Sequence, residues 1–177
     1  MSKKRTKILS TIFIALAVAL PLSMSTSLAY ATTPKQVTWT STPTGLIPQG
    51  GKTAGNSDTR FLDLSLTATC TGDISGTYTS DSHWIIHNWA TGVPLLQQLG
   101  PVQVHAIDYF TATFEGKSGT LVLLVNHVYY PSIGYTEGTW VIIGGTDALA
   151  NLHGQGTTYD PPGPSLTTWT GQVHFDP

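Results

Sequence analysis

Apolar and polar residues alternate with a period of two along much of this chain. From Phe61 the set Leu62, Leu64, Leu66, Ala68 and Cys70 alternates with Phe61, Asp63, Ser65, Thr67 and Thr69. Successive side chains of a strand point to opposite faces, so this pattern predicts a half-buried strand with the leucine set inward. After the turn chemistry of "TGDISG", the run "TYTSDSHWIIHN" continues in the same manner. Val102, Val104, Ala106, Phe110, Ala112 and Phe114 then form an apolar face, and "TLVLLVNHVYY" follows as its hairpin partner, with "KSG" expected as the tight turn between them. "GTWVIIGG", "ALANLHGQGTTY" and the end of "DPPGPSLTTWTGQVHF" supply the later strands.

Only "PLLQQL" suggests a helical turn, and no amphipathic helix of three turns is visible beyond the first thirty residues. Seven or eight short strands rich in Thr, Val, Tyr and Trp predict an all-β fold, an antiparallel barrel or sandwich. Long strands with few charges would be adhesive at an open edge, which favours a closed antiparallel barrel of about eight strands.

The first residues have a different character. Lys3, Lys4, Arg5 and Lys7 precede the apolar run "ILSTIFIALAVAL", and Ala29 to Ala31 form a small-x-small site, so residues 1–31 are expected to be a signal peptide. The run stops at Pro21, short of a membrane span, so no stable membrane anchor is expected after cleavage. The chain is therefore expected to be secreted or otherwise extracytoplasmic. Residues 32–60, dense in Pro, Gly, Ser and Thr, are expected as a flexible segment with a short strand near Val37 to Thr42. Residues 61–177 are left for the barrel itself.

Removing the signal changes the charge. Four of the eight basic residues lie within the first seven positions, which leaves four against ten acids, a net charge of −6. Without clustered Lys or Arg, neither nucleic acid nor an anionic membrane is an expected partner. Cys70 is the only cysteine, so no internal disulfide can form, and its place in an apolar strand predicts a buried, inert thiol.

Three stretches, "CTGDISGTYTSD", "DYFTATFEGKSGTLVLLVNH" and "WVIIGGTDALANLHGQG", together resemble an uncharacterised microbial family whose fold is like that of allene oxide cyclase and the dirigent proteins. The likeness covers roughly residues 61 to 159. It implies a small closed allene oxide cyclase-like barrel and allows a trimer. The chain departs from the family pattern at Asp147 and Ala148, where a glycine followed by an acid is usual after Gly-Thr, and at His153, where an arginine is common. Roles resting on those side chains do not carry over. The glycines around "TDALANL" are those of tight turns and close backbone approach, and no Lys-Ser/Thr follows to make a phosphate cradle.

Candidate chemistry is sparse. In "DSHWIIHNW" an extended backbone puts Asp81, His83, Ile85, His87 and Trp89 on one side and Trp84 on the other. His83 and His87 would lie roughly 13 Å apart along the strand, too far to share one zinc. They read as wall or rim histidines, with a metal assembled from different strands as the alternative. No metal or other cofactor is expected. Asp108 interrupts the apolar face of its strand, and a carboxylate so placed must be bonded, paired or shifted in pKa, which suits a general acid or base. A structural role for Asp108, or a register break that turns it outward, is the alternative. On the hairpin partner both faces are mainly apolar, which suggests a second covering and hence a homo-oligomer, a dimer or trimer.

Three functions fit these residues. The first is an exported barrel binding a small, largely apolar molecule in its lumen, with Asp108, Trp84, Tyr109 and His127 setting its polarity. The second is a cyclase or isomerase of allene oxide cyclase type using a lumenal carboxylate. The third is a structural or surface-associated barrel filled by its own side chains.

Overall fold

The computed structural model describes residues 33–53, 58–94, 97–98, 100–163 and 166–177. The expected signal peptide lies outside the described residues, as does part of "PLLQQL", although Gln97 donates a backbone hydrogen bond to Pro94 at 2.9 Å, as a turn would. Eight strands follow in order: β1 (Lys35–Thr53), β2 (Thr59–Gly72), β3 (Ile74–His87), β4 (Val102–Phe114), β5 (Lys117–Tyr130), β6 (Tyr135–Gly145), β7 (Leu152–Asp160) and β8 (Thr167–Phe175). Each pairs antiparallel with the next, and β8 returns to pair with β1, so the sheet closes on itself. The fold is the all-β, closed, eight-stranded antiparallel barrel that the strand pattern predicts. Closure leaves no long edge to pair with another chain.

Two local expectations change. The strand expected near Val37 to Thr42 continues to Thr53, and its pairing with β2 makes it barrel wall instead of a loop in front of the barrel. Register shifts at Pro43/Gly45 and Pro48/Gly50 explain how it passes through residues that otherwise end strands: a bulge absorbs a proline or glycine that regular pairing would reject. The β4–β5 turn lies at Glu115 and Gly116, two residues before "KSG". Both have positive φ, 50° and 75°, as a two-residue turn of type I′ requires.

The inward faces are the ones expected. On β2 the leucine side faces the interior, and β4 alternates buried and exposed residues with hardly a break. The centre of the barrel is aromatic. Trp39 stacks on Trp169 with centroids 5.3 Å apart and meets Trp140 edge-on at 5.0 Å. Tyr78 stacks on Phe110 at 4.6 Å, and both lie edge-on to Trp169. Such pairs add directional attraction to the burial of large apolar surfaces.

The glycine-rich signature has its reason here. Gly156 on β7 and Gly171 on β8 are cross-strand neighbours beneath the Trp140 ring, and a Cβ on Gly156 would come within 2.7 Å of it. Close approach explains these glycines. The positive φ in this region belongs to Asp147, which opens the 3-10 turn Asp147–Leu149.

Candidate functional site

Inside the barrel the buried apolar residues form two clusters, with a few buried polar side chains among them. The larger holds the aromatic centre together with Cys70, Leu121, Leu123 and Val173. The smaller is built on Ile86, Val102 and Val104, with Leu62, Trp84, Trp89 and Tyr129 packed against it. Asp108, Ser80 and Thr158 are buried polar residues that belong to neither.

Asp108 occupies the inward position on β4 between Ala106 and Phe110, opposite Ser80 of β3 and Leu123 of β5. No register break turns it outward, and only 3% of its surface is exposed. Burial pushes its carboxyl up to about 7, the Ser80 hydroxyl bond pulls it back down in part, and the Asp81 charge on the far side of the sheet adds to the rise. One carboxyl oxygen, Oδ1, has no hydrogen-bond partner within the chain.

His127 faces inward from β5, where Gly138 of β6 is its direct neighbour and Thr158 of β7 the next. Gly138 leaves room for the imidazole, since a Cβ there would meet the His127 ring and lie 2.9 Å from the Thr158 hydroxyl. The ring lies 6.2 Å from Trp169. The residue as a whole is partly exposed, but its Nε2 is buried and unpartnered, and so is Thr158 Oγ1. Burial alone lowers the imidazole to about 4, so it is neutral at ordinary pH. No charge interaction links it to Asp108, and the two do not form an acid–base pair.

Trp84 is lumenal and packs against the smaller cluster. Its Nε1–H donates to Ser82 Oγ at 2.9 Å, and its ring meets Tyr129 edge-on at 6.3 Å. Tyr109 is not lumenal. It follows Asp108 and therefore points outward, 47% exposed, because neighbours in a strand cannot share a face. The structure thus assembles Asp108, His127 and Trp84 into one interior and corrects the placement of Tyr109. Ser80 and Thr158 join them without having been anticipated. Ser80 could have been read from its even position on β3 opposite an apolar strand, whereas nothing distinguishes Thr158 among the threonines around it.

The histidines of "DSHWIIHNW" lie on the outer wall. His83 Nδ1 meets Asp63 Oδ1 at 2.6 Å on a half-exposed surface, and His87 ends its strand. Among the described residues no group of three His, Cys, Asp or Glu side chains could hold a metal ion. Cys70 is the buried thiol expected of it, pushed up to about 12 first by burial and then by the Asp108 charge. Outside, threonine pairs such as Thr157 and Thr170, 3.1 Å apart, cover much of the wall. Ile107, Leu124 and Val141 form an exposed apolar row across β4, β5 and β6.

No curated protein matches the chain. A solved structure similar to it is that of a protein of unknown function from the DUF3224 family of Shewanella oneidensis MR-1, 15% identical, with a TM-score of 0.64 over 82% of this chain and 100% of that one. At that identity the likeness speaks for the barrel alone. The model of that family, described as a protein of unknown function, matches residues 44–168, well over half of the chain, and the chain accordingly belongs to the DUF3224 family.

Proposed function

We propose that this is an exported barrel that holds a small, largely apolar molecule in its lumen, bonded to Asp108, His127 and Thr158. One observation carries the reading: buried polar atoms of Asp108, His127 and Thr158 have no partners in the chain although they face an otherwise apolar and aromatic interior. Each such atom costs about 1–3 kcal/mol unless something bonds to it. A ligand with an apolar body and a few polar groups supplies those bonds, as is usual in concave binding sites.

A cyclase or isomerase of allene oxide cyclase type is the second reading. It is favoured by Asp108, whose carboxyl at about 7 is suited to give or take a proton near neutral pH. The aromatic centre favours the third, a barrel plugged by its own side chains.

Native mass spectrometry of the chain from Thr32, repeated after denaturing extraction, decides among them. A small molecule that co-purifies and is released on denaturation supports the binding barrel. A clean apo mass that no added apolar compound shifts overturns it.

We further propose that the barrel forms a homo-oligomer through the row Ile107, Leu124 and Val141, which presents an exposed apolar strip to an identical copy. Leu124→Glu is expected to reduce the native mass to that of the monomer. An unchanged mass, or a monomeric wild type, overturns this contact.

A further inference from the structure

A row of polar side chains crosses the outer wall where four strands lie side by side. Asp63 of β2, His83 of β3, His105 of β4 and Asn126 of β5 are successive cross-strand partners, so the two imidazoles are direct neighbours over the β3–β4 seam. His83 Nδ1 lies 2.6 Å from Asp63 Oδ1, and His105 Nδ1 lies 2.7 Å from Asn126 Oδ1. A carboxylate or amide oxygen only accepts, so in each neutral ring Nδ1 carries the proton and Nε2 keeps its lone pair. The same bonds fix how the rings are turned. Each Nδ1 is held toward the flanking strand, β2 in one case and β5 in the other, and the opposite edge of each ring, which carries Nε2, therefore faces the seam. Phe61 stacks on the His83 ring at 5.9 Å and holds its plane.

We infer that His83 and His105 form a two-nitrogen chelate for a late first-row divalent metal ion, Cu²⁺, Ni²⁺ or Zn²⁺, on the outer wall of the barrel. Directly opposed residues have Cβ atoms about 4.5–5.5 Å apart. Two nitrogens bound to one such ion, each at about 2.0–2.1 Å, stand roughly 3.3 Å from one another. Rings that lean toward a common seam cover that difference, whereas His87, four residues along the same strand, is out of reach. Metal-binding imidazoles donate their other N–H to a carboxylate or carbonyl oxygen, and Asp63 and Asn126 are such oxygens. The pair opens on a groove of about 500 Å³ whose walls include Asp63, Asp81, Ile107 and Leu124. The two carboxylates favour a cation there. No third His, Cys, Asp or Glu among the described residues completes the set, so water fills the remaining coordination positions. Imidazole nitrogen suits these ions, while Mg²⁺ and Ca²⁺ take oxygen ligands.

A rival pair lies on the other side of the barrel. His153 and His174 are cross-strand partners on β7 and β8 with ring centroids 5.8 Å apart. There each Nε2 faces an oxygen of Asp176 at 3.2 Å, and the three groups together do not make a metal site.

The test uses the chain from Thr32, prepared without a histidine tag and stripped with EDTA. Calorimetric titration with nickel chloride is expected to show one Ni²⁺ per chain, and magnesium chloride no binding. His83→Gln and His105→Gln should each weaken Ni²⁺ binding about 100-fold, because a single remaining imidazole loses the second, intramolecular bond. Asp63→Ala should weaken it about tenfold by releasing the His83 ring. All three side chains are exposed, so the core is untouched, and an unchanged near-ultraviolet circular dichroism spectrum verifies the fold of each variant. In the wild type, trace Cu²⁺ should broaden the ring resonances of His83 and His105 before those of any other histidine. A wild type that binds no Ni²⁺, a histidine variant that binds it as tightly as the wild type, or broadening that begins at His153 and His174 overturns the site. The lumenal reading stands or falls separately, since these residues all lie outside the barrel.

Discussion

Asp108→Asn and His127→Gln are expected to tilt the pH dependence of stability in opposite directions. The folded Asp108 carboxyl holds its proton up to about pH 7, against an ordinary value of 3.8, so its contribution is fully present below pH 3.8 and is lost as pH rises through 7. At about 1.4 kcal/mol per unit this amounts to about 4 kcal/mol. The folded His127 imidazole takes up a proton only at about pH 4, against 6.5 ordinarily. Its contribution is therefore present above pH 6.5 and is lost as pH falls to 4, about 3 kcal/mol. Between pH 4 and 6.5 the two slopes cancel, so this pair leaves the wild type nearly level. Asp108→Asn leaves the histidine alone, and stability should fall by about 3 kcal/mol from pH 6.5 to 4. His127→Gln leaves the carboxyl alone, and stability should rise by about 4 kcal/mol from pH 7 to 4. Urea unfolding at half-unit pH steps measures both. Parallel profiles for the two variants would show that these two side chains are not buried in the way described.

Trp169→Ala should cause the largest loss of stability of any single truncation discussed, about 3–5 kcal/mol. Trp169 touches the aromatic centre from several sides: Trp39 at 5.3 Å, Phe110 at 6.1 Å, and Tyr78 and His127 at 6.2 Å. Its Nε1–H donates to the buried Ser41 hydroxyl at 2.9 Å. Removing the indole would open a cavity where facing strands cannot collapse, because their backbones are held by the closed ladder. Trp169→Phe keeps part of the packing and should cost less. Tyr109→Ala, on the outer wall, should cost under about 1 kcal/mol. Equal denaturant midpoints for Trp169→Ala and Tyr109→Ala would mean that the aromatic centre does not carry the fold.

The candidate site was legible in part. Asp108 could be found because a single charge broke an otherwise apolar face, and period-two alternation is a strictly local signal. His127 and Trp84 could be placed inward by the same count along their strands. Tyr109, expected in the lumen, has the parity of the outer face, and the structure follows the parity. Ser80 and Thr158 gave no such contrast. A serine or threonine is at home on either face of a strand, and only its neighbours across the barrel make it exceptional.

Alternation by itself determined that this chain is all-β, where most strands run and which side of each faces inward, because every residue of a strand reverses the direction of the last. It misjudged β1, since prolines and glycines look like loop until pairing partners on both sides hold them in a bulged strand. Only the tertiary structure decided which inward residues meet. Register between neighbouring strands brings His127, Gly138 and Thr158 side by side and places Ser80 against Asp108. Those relations depend on how eight strands are offset around a closed sheet, a long-range property that no short window of sequence contains.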